Sequence, residues 1–195
     1  MNAVMTVDII QDYINDIKKI DISQNLADMI FPFCFSTELW DKYKRFDEET
    51  HLIDMNAFQK VKYFGDENTE GLSAEISNIP DDTGGIYIYV IENPIVPFSG
   101  HHIMYVGRAI FTQNQNLRAR ARTHFYQYKR GEENERLERV FDNWKDYVYL
   151  FYLPLSDNEK IDLAERELIN TLTPPCNKDD YSPAIRRKLR ANFFA

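Results

Sequence analysis

The spacing of apolar residues changes character part-way along the chain. Val7, Ile10, Tyr13, Ile14 and Ile17 recur at helical intervals with Asp and Lys between them, which predicts a helix over 6–19. Ser23 is a plausible cap for a second helix over 23–31, ending before Pro32. A third starts at Ser36 or Thr37 and carries Leu39, Trp40, Tyr43 and Phe46. FQKVKYF (58–64) reads as a short strand. GDENTEGLSAEISNIPDDTG (65–84) is polar and rich in turn formers, so a junction is expected there. Residues 1–64 are therefore expected to form a helical N-terminal subdomain.

From 85 onwards the runs shorten and become β-branched or aromatic. IYIYVIE (86–92), HIMYVG (102–107) and YVYLFYL (147–153) predict strands. ENPIVPFSGHH, with two prolines and a glycine, reads as a long loop. Helices are predicted over 116–129 and 133–144, and from Asp157, a plausible cap, to Leu172, where Pro174 and Pro175 halt the next turn. A short basic helix is predicted within 181–195. Strand, strand, helix, helix, strand, helix predicts an α+β domain over 85–180, a small sheet layered against helices. No internal repeat is visible.

Composition adds limits. A chain of 195 residues with 44% hydrophobic content suits one domain, or one domain with an appended subdomain. No stretch approaches the ~18 apolar residues of a membrane span, and the N-terminus lacks the basic start of a signal peptide. Cys34 and Cys176 sit in no metal-type spacing and are expected as free thiols in a reducing cytoplasm. The net charge of −8 is unevenly spread. Residues 1–80 carry 15 acids and 7 bases, whereas 81–195 carry 16 of each. Within 81–130, Arg108, Arg118, Arg120, Arg122, Lys129 and Arg130 face only three acids. A phosphate ligand responds to the local field more than to the total charge. The few surplus cations predict weak non-specific binding to nucleic acid.

Some residues are out of character with their surroundings. On the last long helix the apolar stripe is Ile161, Ala164, Leu168, Ile169 and Leu172. Glu165 lies within it, and Glu167 falls on a more polar flank. A carboxylate facing a core needs a partner. An ion pair to a nearby Arg or Lys would serve. So would a hard cation, because one carboxylate plus waters and a substrate phosphate suits Mg²⁺. Arg120 and His124, at i and i+4, fall along the stripe of Leu117, Ala121, Phe125 and Tyr128. An Arg there can cap a buried carboxylate or clamp a phosphate, and a His on such a face is often merely packed. Tyr87 and Tyr105 would be ordinary strand aromatics in a chain with 12 tyrosines. His101 and His102 have no second ligand pair at metal spacing. Arg186, Arg187, Lys188 and Arg190 suit either a phosphate grip or a solvated face.

Taken in order, Gly85-Ile86-Tyr87, Tyr105-Val106-Gly107, Arg120-x-x-x-His124 and Glu165 followed by Pro174-x-x-Asn177 resemble the GIY-YIG nuclease family over roughly the second half of the chain. The resemblance implies a three-stranded antiparallel sheet flanked by helices. It implies a Mg²⁺- or Mn²⁺-dependent endonuclease acting on DNA, with Glu165 as metal ligand. Tyr87 would be the general base. Tyr105 and His124 would orient water and protons, Arg120 would be the catalytic arginine and Asn177 would position neighbouring groups. Arg108, Arg118 and Arg122 are the expected substrate-binding residues. The chain departs from the family in spacing: the tyrosines stand 18 apart and Arg120 follows Tyr105 by 15, where the family commonly has about ten in each gap. Such insertions suit sequence-reading or gating loops of restriction or defence enzymes, and equally neutral surface loops. The alternatives are a nuclease fold retained as a binding module, or a nuclease subunit targeted by a protein partner. The acidic N-terminal helices would then form the partner or homodimer surface.

Overall fold

The run Gly84–Ile91 forms β2, the central strand of the molecule, and every residue in it is buried. Strand side chains alternate between faces, so Ile86, Ile88 and Val90 point one way and Tyr87 and Tyr89 the other. Both faces are covered by helices, which is why the run shows no polar alternation.

In this computed structural model the described residues are 52–66, 71–92, 100–177 and 179–187. Contacts divide the chain into two compact units, Met1–Pro32 and Phe33–Ala195, and all described residues lie in the second. The helices expected before residue 50, Cys34, most of the 93–101 loop, Lys188 and Arg190 fall outside the described residues, as does the expected partner surface.

The sheet is antiparallel with strand order β1-β4-β2-β3. Its strands are β1 (Gln59–Lys62), β2, β3 (His102–Ala109) and β4 (Val148–Leu155). The helices are α1 (Leu117–Lys129), α2 (Glu135–Trp144) and α3 (Asn158–Leu172). The three-stranded sheet expected from the resemblance is thus corrected to four. The extra strand is the short 58–64 run. It pairs with β4 from Gln59↔Tyr152 to Lys62↔Tyr149 and buries Val61 and Tyr63. Residues 65–84, expected as a junction, connect two strands of one sheet. Ile53, upstream of β1, is buried in the same core.

On one face, Ile86, Ile88, Val90, Val106 and Leu153 pack against Ile161, Ala164, Leu168 and Ile169 of α3. On the other, Tyr63, Phe64, Tyr89 and Phe141 form an aromatic cluster with ring centroids 4.8–5.3 Å apart, mostly edge to face. Asn116, Asn134 and Asp157 cap α1, α2 and α3 by accepting from backbone N–H groups of the first turns. α3 ends on Thr173 in the left-handed region, φ 44°, directly before the two prolines. Cys176 is buried and free, and burial pushes its thiol up to about 12. No helix among the described residues is long and apolar enough to cross a membrane.

Candidate active site

Antiparallel register sets Tyr87 of β2 opposite Gly107 of β3, and Tyr89 opposite Tyr105. Gly107 is needed there because the Tyr87 ring lies across β3. A Cβ at 107 would meet Tyr87 Cζ and Oη at 2.4 Å and Tyr105 Cε1 at 2.8 Å. The two rings, 6.3 Å apart between centroids, therefore share one face of the sheet.

α1 runs over that face. Its buried residues are Leu117, Ala121 and His124, and they carry Arg120 with them. Arg120 Nε donates to Tyr87 Oη at 3.2 Å, and His124 Nε2 lies 2.7 Å from the same hydroxyl. The other imidazole nitrogen, Nδ1, is 2.7 Å from Glu133 Oε2. Burial raises the Tyr87 phenol well above its ordinary value, with Tyr105 adding to the rise and Arg120 opposing it. Burial likewise pushes Tyr105 up to about 12. For His124, burial lowers the imidazole and Glu133 acts the other way.

Arg108 is on β3 opposite Ile86, so it points to the other face, toward α3. There it forms ion pairs with Glu165 and, at 2.7 Å, with Asp162. The partner that a carboxylate in an apolar stripe requires is thus Arg108. Burial raises the Glu165 carboxyl, Arg108 opposes that, and Asp180 and Asp162 reinforce it.

Tyr87, Tyr105, Arg108, Arg120 and Glu165 line a single cleft of about 640 Å³, together with Ile110, Gln115, Arg166, Ile169 and Asp180. Tyr105 and Arg108 leave β3 on opposite faces, so the cleft lies at the outer edge of that strand. Asn177 does not line it. Asn177 Oδ1 accepts from Val106 N at 2.8 Å while Nδ2 donates to Val106 O at 2.9 Å, occupying the edge as a neighbouring strand would. Nδ2 also donates to Asp180, which does line the cleft. His124 sits behind Tyr87, 2% exposed.

Two expected substrate-binding residues lie elsewhere. Arg118 donates to Ile79 O at 2.6 Å and pairs with Asp81 at 2.7 Å, tying the 76–81 loop to α1. Arg122 is exposed on α1, away from the cleft lining. Arg186 and Arg187 are exposed on a helical turn over 183–187. The IFTQNQN insertion forms a tight turn with Thr112 bridged to Gln115. Asn158, the first residue of α3, accepts from Phe111 N and donates to Phe111 O, both at 3.0 Å.

Sequence reasoning missed Glu133, Asp162 and Asp180. Asp162 was readable, because it stands three residues before Glu165 on the same helical face. Glu133 carried no local signal. It lies nine residues from His124 and meets it only because the chain turns at Gly131, φ 65°. Comparison of the chain with protein-family models, curated proteins and solved structures found no match.

Proposed function

We propose that this protein is a metal-dependent phosphodiesterase of the GIY-YIG type that cuts DNA. One observation carries the reading: two strand tyrosines, an arginine and a carboxylate, contributed by β2, β3, α1 and α3, converge on one cleft. Phosphodiester hydrolysis needs an activated water, neutralised phosphoryl oxygens and a stabilised leaving oxygen. Tyr87 is the general base, with Arg120 beside its hydroxyl to stabilise the phenolate and to reach a phosphate oxygen. Tyr105 orients the water. Arg108 reaches the phosphate once it is released from Glu165.

The donors present fit a hard cation held by one carboxylate and waters. Among the described residues no group of three or more His, Cys, Asp or Glu is arranged to hold a metal, so a cation caged by protein does not fit. Glu165 would hold Mg²⁺ or Mn²⁺, with Asp180 adding negative potential from across the cleft. Bound there, the ion supplies charge neutralisation at the phosphoryl oxygens.

Incubation with supercoiled plasmid and with RNA, in Mg²⁺ or EDTA, tests the reading. The expected result is EDTA-sensitive nicking or linearisation of the plasmid. A second reading, a nuclease fold kept as a binding module, is favoured by the Arg108–Glu165 pair, which satisfies both groups without a cation. That reading expects binding without EDTA-sensitive cleavage. The insertion that brings Ile110 and Gln115 to the cleft favours a restriction or defence enzyme, and the acidic N-terminal segment favours action through a protein partner.

A further inference from the structure

Glu133 is a buried carboxylate whose negative charge the catalytic reading leaves without a task. Its side chain is 5% exposed and that of His124 is 2% exposed. Both of its oxygens are engaged. Oε1 accepts from Asn134 N at 2.8 Å, and Oε2 faces His124 Nδ1 at 2.7 Å. An ionised carboxylate only accepts, so Nδ1 must carry the hydrogen. In a neutral imidazole Nε2 then has a free lone pair, and the Tyr87 hydroxyl 2.7 Å away must donate to it. Arg120 Nε, a donor, meets a lone pair of the same oxygen at 3.2 Å. The hydrogen-bond direction is fixed along the whole chain, from Tyr87 to His124 to Glu133.

We propose that Glu133 is a positioning residue: it holds His124 in the tautomer whose Nε2 receives the Tyr87 proton when the phenol acts as base. The inference rests on the nuclease reading for its chemistry. In the step, the Tyr87 O–H bond breaks and an N–H bond forms at Nε2. The phenolate oxygen takes a proton from the attacking water. The water oxygen's lone pair forms the new P–O bond as the bond to the leaving oxygen breaks with its electron pair. The leaving oxygen takes a proton from solvent, and the imidazolium returns one to solvent. Burial of the phenol supports a direct hand-off to His124, because a free phenolate is scarce in so desolvated a place. Glu133 stabilises the imidazolium while it lasts. The other ionisable groups facing the ring are Tyr89 from β2, Tyr105 from β3 and Arg120 on its own helix.

Glu133→Gln gives a specific outcome because a glutamine has one acceptor oxygen for two donors. The Asn134 N–H cannot change, so the glutamine oxygen turns to it and the NH₂ turns to Nδ1. His124 must then carry its hydrogen on Nε2, where it cannot take the Tyr87 proton. ¹⁵N NMR of the full chain reads the tautomer, with His124 assigned by the resonance lost in His124→Gln. The expected result is hydrogen on Nδ1 in the parent protein and on Nε2 in Glu133→Gln. Plasmid cleavage in Mg²⁺ falls by about 10³–10⁴-fold, the scale of an imidazole held in the wrong tautomer. Hydrogen on Nε2 in the parent overturns the proposal, and this measurement decides it even if Glu133→Gln does not fold. An unchanged tautomer and unchanged cleavage in a folded Glu133→Gln also overturn it, while the nuclease reading stands. If the parent cuts neither plasmid nor RNA, the nuclease reading fails and the proposed proton transfer falls with it.

Discussion

Two neighbouring tyrosines on one face of β2 have opposite circumstances, and the difference is testable. Tyr87 Oη is held by His124 and Arg120. The Tyr89 hydroxyl, buried beside that of Tyr63, makes no hydrogen bond of good geometry. Tyr87→Phe should lower plasmid cleavage by at least ~10²-fold, the lower end of general-base effects, with DNA binding nearly unchanged. Tyr89→Phe should leave cleavage intact and hold or raise stability by up to ~1 kcal/mol, since it removes a buried, poorly satisfied hydroxyl. Urea unfolding and a cleavage time course on both variants check this. A near-normal rate for Tyr87→Phe removes Tyr87 from the mechanism. His124 adds a pH signature. Its protonated form has no lone pair for the Tyr87 proton, so the acid limb of the rate follows its titration. Burial lowers the imidazole below 6.5 and Glu133 only partly opposes this. Activity should therefore persist as pH falls through 6.5 and decline below it. A limb centred above 6.5 contradicts this account.

At the scale of elements, α3 carries two glutamates two residues apart on different flanks. Glu165 lines the cleft, and Glu167 does not. Glu165→Gln keeps size and removes the charge a cation needs, so cleavage should fall by several kcal/mol of barrier, on the order of 10³-fold. Glu167→Gln should change it little. The reverse ranking would sink the assignment of faces. That assignment was readable from the sequence because Ile161, Ala164, Leu168 and Ile169 fix the buried side of the helix, and the structure buries all four. β2, β3, β4 and the three helices were readable as short β-branched or aromatic runs or as capped helical stretches, each bounded by turn formers. Other features were not readable. FQKVKYF was readable as a short strand, but not as a member of this sheet, because β1 joins it by pairing with β4, ~90 residues away in sequence. Asn177 looked like a turn residue or a site residue. Its role as a surrogate strand at Val106 depends on β3 being an edge, which spacing alone does not reveal.

At the scale of the whole molecule, the sheet domain begins earlier in the chain than the change in hydrophobic period suggests. Ile53 is 3% exposed and packs with β2, β3 and α3, while Met55 and Phe58 pack against the same cluster. β1 follows directly. These residues precede the polar stretch that marks a boundary in the sequence, yet they belong to the core that supports the candidate site. Contacts put the division at Pro32 instead. Two truncations therefore separate. Removing 1–32 should leave a cooperatively folding protein whose cleavage per site is retained, and its mass in solution reports whether that unit carries a homodimer interface. Removing 1–58 also takes Ile53 and the turn at Met55–Ala57. The loss of the buried isoleucine alone should cost about 2–5 kcal/mol, the range for emptying such a position. Urea unfolding of the two truncations gives the difference directly. Equal stabilities would mean that Ile53 contributes nothing to the core, and that the domain begins no earlier than β1.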